Sequence, residues 1–123
     1  MEFKKNQAIY LQIADLICEH IITKQWPVGE KINSVREMAA NIEVNPNTIM
    51  RTYSHLQNEG IIQNKRGIGY FVSEGAPEKV LELQRHEFVK EELPHIFKKM
   101  SLLKISMKEF QELYKNQNLT TKA

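Results

Sequence analysis

Two helix-start signals lie close together in the middle of the 123-residue chain, and their spacing constrains the fold more than any other feature. Ser34 and Glu37 have the spacing of a capping box, in which a hydroxyl and a carboxylate satisfy free backbone amides at the start of a helix. Asn45 before Pro46 is typical of an N-cap and a first helical residue, because a proline there loses no useful donor. Two helices separated by so short a turn cross steeply, so the pattern predicts a helix-turn-helix.

The second of these helices, which should end before Gly60, separates its residues by face. At about 100° per residue, one side of the helix is predicted to be core. The core side carries Ile49, Thr52, Tyr53 and Leu56. The opposite side carries Asn47, Arg51 and Ser54, flanked by Thr48, Met50 and His55. Short polar groups and one arginine are typical of a recognition helix that contacts base edges and phosphates.

Two β-prone segments, residues 61–62 and 70–72, follow that helix. Between them lie Lys65, Arg66 and Gly67, which predicts a hairpin with a cationic tip, the wing of a winged helix-turn-helix. Before the capping box, apolar residues at helical spacing predict a supporting helix from Ala8 to about Lys24. Residues 31–32 are predicted to form a short strand that pairs with the wing.

The segment from about Tyr10 to Val72 resembles the DNA-binding domain of the GntR family of bacterial transcription regulators. The resemblance lies in five stretches, residues 9–13 (IYLQI), 27–32 (PVGEKI), 34–37 (SVRE), 44–48 (VNPNT) and 66–72 (RGIGYFV). The Asn-Pro-Asn-Thr version of the motif and the short C-terminal region resemble the YtrA subfamily most. The resemblance implies a dimeric, sequence-specific DNA-binding regulator, and we expect it to be a repressor.

The resemblance also implies roles for individual residues. Asn47, Thr48 and Arg51 are expected to read the major groove, Arg36 to anchor the protein, and Arg66 with Gly67 to make the wing contact. Ser34, Asn45 and Lys65 complete the expected DNA-binding set. Each expectation has a simpler alternative: Arg36 could form an ion pair with Glu37, Asn45 could only cap its helix, and the wing could be a solvated turn.

The chain departs from the wider family at three positions. Many GntR proteins carry an arginine at the position of Met50, whereas here, as in the YtrA group, the arginine is Arg51. This shift rotates the guanidinium by about 100° around the helix axis, so the base preference of the wider family does not carry over. Ala8 and Asn33 stand where the family usually has proline, which removes some preorganisation at two helix starts.

Residues 73–77 have the composition of a linker, and the sequence predicts two regions: 1–75, the DNA-binding domain, and 76–123, a short helical dimerisation or effector region. Pro94 predicts a kink or break near Leu93, and Ser106 with Glu109 repeats the capping-box spacing. About 48 residues are too few for the metabolite-binding domain that other GntR subfamilies attach. The first residues and those from about Asn116 onward are expected to be loose.

The apolar positions of this C-terminal region predict that its helices pair with a second copy of the chain. The resemblance implies the same, because YtrA-type regulators dimerise through such a tail. A two-fold dimer places two recognition helices about 34 Å apart on double-stranded DNA and implies an inverted-repeat operator. The family analogy also implies a small-molecule effector, which the sequence does not identify.

Several other functions lack the residues that they need. Cys18 is the only cysteine, so no internal disulfide is possible, and the four histidines have no metal-ligand spacing. No arrangement suggests a nucleophile or an acid–base pair, so we expect no catalytic residue, no cofactor and no metal. The sequence lacks an apolar run long enough for a membrane span and an apolar N-terminal stretch typical of a signal peptide, which predicts a cytoplasmic protein without a membrane partner.

The net charge is only +2, and residues 1–75 contain eight Lys or Arg and eight Asp or Glu. This balance predicts modest non-specific DNA affinity, with positive charge concentrated locally on the predicted DNA-facing elements. The alternative function is a winged helix used for protein–protein contact without specific DNA binding. That alternative predicts no salt-dependent DNA affinity and tolerance of Arg51→Ala.

Overall fold

A computed structural model of the chain describes residues 7–117 and is mainly helical, with one two-stranded sheet in that range. The elements in order are α1 Ile9–Ile22, α2 Val35–Ile42, α3 Pro46–Asn58, β1 Ile62–Lys65, β2 Gly69–Val72, α4 Ala76–Glu87, α5 Leu93–Leu102 and α6 Met107–Asn116. A π-helical turn, Phe88–Glu92, lies between α4 and α5. The expectation of loose ends falls largely on residues 1–6 and 118–123, which lie outside the described residues.

The chain divides by packing into two units, Met1–Gln84 and Arg85–Ala123. The first unit contains the helix-turn-helix, the sheet and most of α4, because Ala76 and Val80 are buried in its core. The division of function into regions 1–75 and 76–123 stays a prediction.

The helix starts that the sequence predicted are confirmed in atomic detail. Ser34 Oγ accepts a hydrogen bond from the Glu37 amide at 3.1 Å, and Glu37 Oε1 accepts one from the Ser34 amide at 2.9 Å, so both halves of the capping box are formed at α2. Asn45 Oδ1 accepts from the Asn47 amide at 2.7 Å, with Pro46 as the first residue of α3. Residues 43–45 join the two helices, and Glu43 adopts a left-handed conformation (φ 55°) that ends α2.

The core of the first unit forms where α3 packs against α1 and α2. All four residues predicted for the inner face of α3 are buried: Ile49, Thr52, Tyr53 and Leu56. From α1 the core receives Ile13, Ala14, Ile17, Cys18 and Ile21. Because the apolar face of α3 is held from two sides, its opposite face is the one left toward solvent.

Two buried hydroxyl groups fix α3 to its neighbours. Thr52 Oγ1 donates to the carbonyl of Tyr10 in α1 at 2.8 Å, and the Tyr53 hydroxyl donates to the carbonyl of Asn33 at 2.8 Å, directly before the α2 cap. Burial raises the pKa of Tyr53 well above its ordinary value, so the hydroxyl stays protonated and remains a donor. Among the described residues, no buried side-chain polar atom lacks a hydrogen-bond partner.

The wing is an antiparallel hairpin in which Ile62 pairs with Val72 and Lys65 pairs with Gly69. The predicted pairing of residues 31–32 with the wing is confirmed: Lys31 forms a bridge with Phe71, and the Ile32 amide donates to the Tyr70 carbonyl at 2.9 Å. This third segment ties the hairpin to the loop before α2 and therefore fixes the wing beside the helix-turn-helix.

The second unit consists of helical segments with exposed apolar side chains. The π-helical turn stands immediately before Leu93, where Pro94 predicts an interruption of regular helix. The Ser106 hydroxyl accepts a hydrogen bond from the Glu109 amide at 3.1 Å and caps α6 as predicted. Large apolar side chains exposed in this unit are Phe88, Val89, Phe97, Leu102, Leu103, Met107, Phe110, Leu113 and Tyr114. Across residues 7–117, no helix has the length and apolar character that a membrane span requires.

Burial raises the pKa of the Cys18 thiol from 9.0 to about 12, with the charges of Asp15 and Glu59 acting in the same direction. The folded state therefore keeps the thiol proton to higher pH than the unfolded chain does. The contribution of the protonated thiol to stability is complete below pH 9 and is lost as the pH rises toward 12. We expect the free energy of unfolding, measured from about pH 8 to about pH 10.5, to fall more steeply in the wild type than in Cys18→Ala. Parallel curves for the two proteins would contradict the burial of this thiol.

Candidate nucleic-acid interface

The exposed face of α3 presents the residues that the sequence predicted for DNA contact. Asn47 and Arg51 are exposed and Thr48 is half-buried, while Ile49 on the opposite face has no exposed surface. Met50, at the position where many GntR proteins carry arginine, is 47% exposed and extends the same surface. The packing of α3 against α1 and α2 thus separates a core face from a polar face that a groove of DNA can accept.

The Arg51 side chain lies across the first turn of α1. Its guanidinium carbon is 4.1 Å from the centre of the Tyr10 ring, a cation–π contact. The His55 ring, one turn further along α3, meets the same tyrosine ring edge-on, with 6.1 Å between ring centres. The guanidinium is therefore held on the α1 side of the exposed face.

The start of α2 contributes Ser34 and Arg36, both exposed. The hydrogen bond from the Ser34 amide holds the pKa of the Glu37 carboxyl below its ordinary value, and the charge of Lys31 acts in the same direction. Glu37 is engaged by the cap, and Arg36 stands beside it on the surface. A DNA contact by Arg36 stays a prediction.

Asn45 has the capping role that the sequence left as one of two alternatives, because its side-chain oxygen accepts from the Asn47 amide. Asn45 is exposed at the start of α3, and the NH₂ group of its side chain is not used by the cap. A DNA contact by that group stays a prediction.

The capping role of Ser34 has a measurable consequence. Ser34→Ala removes the acceptor for the Glu37 amide, and we expect it to lower the free energy of unfolding by about 1 kcal/mol. Ser54→Ala is the matched control, because Ser54 is exposed in the middle of α3 and alanine favours helix there. Chemical denaturation followed by circular dichroism compares the two variants. A loss at Ser34 no larger than at Ser54 would argue against a stabilising cap.

The tip of the wing is a tight turn that carries two cations. The Ile68 amide donates to the Lys65 carbonyl at 2.8 Å, and Gly67 has φ 78°, a conformation that favours glycine at the third turn position. Lys65 Nζ lies 4.4 Å from the centre of the Phe71 ring, whereas Arg66 lies in the turn itself and is exposed. The turn therefore places positive charge on the projecting end of the sheet.

Three residues beside this surface were not singled out by the sequence pattern: Tyr10 next to Arg51, Phe71 next to Lys65, and Lys31 next to Gly69. A β-carbon at Gly69 would lie 2.8 Å from Cε of Lys31, so glycine leaves the space through which this lysine side chain crosses the wing. Tyr10 and Lys31 come from distant parts of the chain, and Phe71 comes from the facing strand of the same hairpin. Helix periodicity contains no signal for such contacts.

Other kinds of site find little support in the described structure. Across residues 7–117, no group of three His, Cys, Asp or Glu side chains is placed to hold a metal ion. An open pocket of about 400 Å³ lies between the α1–α2 loop and the start of α2, where Trp26, Lys31 and Glu37 contribute to its lining. Its mixed polar lining shows no arrangement of catalytic groups.

These features define a winged helix-turn-helix protein: two helices joined by residues 43–45, an exposed polar face on the second helix, and a hairpin with a cationic tip. The model of a family described as bacterial regulatory proteins, gntR family, matches residues 9–72. The chain belongs to the GntR family. It is a transcription regulator with a DNA-binding helix-turn-helix, and not an enzyme.

Relatives and solved structures agree with this assignment. The chain is 39% identical over 111 residues to YhcF, an uncharacterised HTH-type transcriptional regulator of Bacillus subtilis, with 90% of each chain covered. It is 36% identical to the HTH-type transcriptional repressor YtrA of Bacillus subtilis over 76% of this chain and 71% of that protein. A crystal structure of a GntR-family regulator from Bacteroides thetaiotaomicron matches with 46% identity and a TM-score of 0.74, over 87% of this chain and 93% of that chain. The predicted fold class and the YtrA-like resemblance are confirmed.

Proposed function

We propose that the protein is a homodimeric repressor that binds an inverted-repeat operator in double-stranded DNA. The observation that carries this proposal is the exposed polar face of α3, to which the exposed Arg36 in α2 and the cationic wing add positive charge. Repression is supported by the likeness to the repressor YtrA.

In this proposal the contacts divide by chemistry. Asn47, Thr48 and Arg51 read base edges in the major groove, because amide, hydroxyl and guanidinium groups on one helix face match the donor and acceptor pattern there. Arg36 anchors the start of α2 on phosphates. Arg66 makes the wing contact, with Gly67 allowing a close approach of the backbone.

Three further polar groups complete the proposed surface. Ser34 and Asn45 lie at the starts of α2 and α3, where backbone amides favour negatively charged groups. Lys65 stands at the base of the wing turn. Their contacts with phosphate position the protein but carry no base sequence directly.

The proposed dimer forms through the C-terminal helices. Leu102, Leu113 and Tyr114 are 70%, 57% and 68% exposed in the single chain, and apolar surface of this kind favours association. A two-fold axis gives each protomer the same contact and presents two copies of α3 to the DNA, about 34 Å apart. An inverted-repeat operator matches that symmetry.

A repressor must also release its operator, and we propose a small-molecule effector that shifts the dimer between DNA-competent and incompetent spacings. The family analogy motivates this step. A screen of metabolites for a change in operator affinity tests it, and no change with any of them would count against it. We also propose that the protein acts in the cytoplasm, together with its DNA partner.

The first experiment selects binding sequences for the purified protein from a pool of random DNA duplexes and then measures affinity by anisotropy across a salt series. We expect enrichment of one inverted repeat and a strong fall in affinity with salt. Arg51→Ala should weaken binding to the selected duplex by about 10- to 100-fold. Arg85→Ala is the matched control, because Arg85 is exposed and lies in α4, outside the proposed interface. The affinity of this variant for the selected duplex should stay near that of the wild type.

Equal and weak binding of every duplex, or no binding, would contradict the proposal. Tolerance of Arg51→Ala together with absence of salt dependence would favour the alternative of a winged helix that contacts another protein. A pull-down with the intact chain as bait would then identify that partner.

A further inference from the structure

The contact between Arg51 and Tyr10 joins a proposed DNA-reading residue to a helix that has no proposed DNA contact. The guanidinium carbon lies 4.1 Å from the ring centre, well inside the range of about 6 Å for cation–π attraction. Arg51 is exposed, whereas Tyr10, in the first turn of α1, is half-buried. The ring is the more enclosed member of the pair, and the arginine lies against it.

Tyr10 is held in place independently of Arg51. Its backbone carbonyl accepts a hydrogen bond from the hydroxyl of Thr52 at 2.8 Å, and Thr52 has no exposed surface. The edge-on contact with His55 supports the ring from the next turn of α3. The first turn of α1 is therefore anchored on α3, and it offers a fixed surface to the mobile end of the arginine.

A guanidinium that places one face against an aromatic ring keeps its edge free. The five N–H donors of arginine lie in the plane of the group, so a ring against the face blocks none of the directions in which they point. A free arginine side chain loses rotamer entropy when it is fixed in one geometry. Part of that loss occurs before DNA arrives if the side chain is already stacked, and preorganisation of this kind raises affinity.

We infer that Tyr10 is a positioning residue for DNA recognition: its ring holds the Arg51 guanidinium on the α1 side of the recognition face with the donor edge free for DNA. The inference rests on the proposed DNA-binding function of Arg51. The ring face makes the contact, so phenylalanine should replace tyrosine and leucine should not.

The test is a double-mutant cycle on the duplex selected from the random pool. Tyr10→Leu should weaken binding by about two- to fivefold, the size of an exposed cation–π contact, and Tyr10→Phe should bind like the wild type. In the Arg51→Ala background, Tyr10→Leu should cause no further loss, because the partner is already absent. A merely structural role for Tyr10 would instead give the same loss in both backgrounds. The inference would be overturned if the affinity losses of Tyr10→Leu and Arg51→Ala multiplied in the double variant, or if Tyr10→Phe bound as weakly as Tyr10→Leu.

A measurement without DNA separates this inference from the proposed function. In NMR spectra of the free protein, the Arg51 side-chain protons should show ring-current shifts in the wild type and in Tyr10→Phe, and these shifts should vanish in Tyr10→Leu. Absence of the shifts in the wild type would overturn the inference even if DNA binds as proposed. Shifts as expected, without binding to any selected duplex, would overturn the proposed function and with it the positioning role.

Discussion

Replacement of Ile17 by alanine is expected to lower the free energy of unfolding by about 3 kcal/mol, within the usual range of about 2–5 kcal/mol for such a truncation in a core. Ile17 lies in the middle of α1 and is 1% exposed, within the cluster that α1 shares with α3. The substitution removes buried methyl and methylene groups and leaves a cavity that the surrounding helices cannot fill completely. The loss is a large share of the total stability of a small protein, which is typically about 5–15 kcal/mol.

Ile9→Ala is the matched control, because it makes the same chemical change in the same helix at a position that is 55% exposed. We expect it to cost less than about 1 kcal/mol. Urea denaturation followed by circular dichroism at a single protein concentration measures both variants, since association makes stability depend on concentration. Similar losses for the two variants would contradict the placement of α1 against α3.

Leu113→Glu is expected to dissociate the proposed homodimer and to weaken operator binding by about a hundredfold. Leu113 is 57% exposed in α6, on the helix face that also carries Met107 and Phe110. A glutamate there would place an unpaired charge inside an apolar interface, which is costly. Sedimentation equilibrium should show the mass falling from two chains to one chain of 14.4 kDa. Operator affinity falls as well, because a monomer engages only one half-site at a time.

Lys108→Glu introduces the same residue on the opposite face of α6 and serves as the control. It should leave the mass of the dimer unchanged. Dissociation by both variants would indicate a general effect of charge on α6 rather than an apolar interface, and dissociation by neither would place the dimer contact elsewhere. A fully monomeric wild type with unimpaired specific DNA binding would contradict the proposed symmetry of recognition.

Signals that act over a few residues predicted the local structure well. The capping box of Ser34 and Glu37 formed as predicted, because both groups belong to one helical turn and need no partner from elsewhere. The buried face of α3 was predicted for a similar reason, since the period of a helix determines which residues share a side. The end of α1 was predicted near Lys24 and is observed at Ile22. A difference of one or two residues is common at helix ends.

Long-range packing decided what the pattern left open. The sequence predicted that Arg51 lies on an exposed face, but the contact of its guanidinium with Tyr10 depends on how α1 crosses α3. The crossing of Lys31 over Gly69 depends in the same way on the pairing of residues 30–32 with the wing. The burial of Ala76 and Val80 in the core of the first unit is a further example, because the sequence of α4 does not say which neighbour covers them.

Caps, periodicity and turn residues act through neighbouring atoms. Residues close together in the chain were therefore enough to predict where the helices of the DNA-binding region begin, which face of α3 is buried, and that a cationic hairpin follows. The aromatic neighbours of Arg51 and Lys65 were settled by packing, since Tyr10 reaches Arg51 only where α1 crosses α3, and Phe71 meets Lys65 across the two strands of the wing.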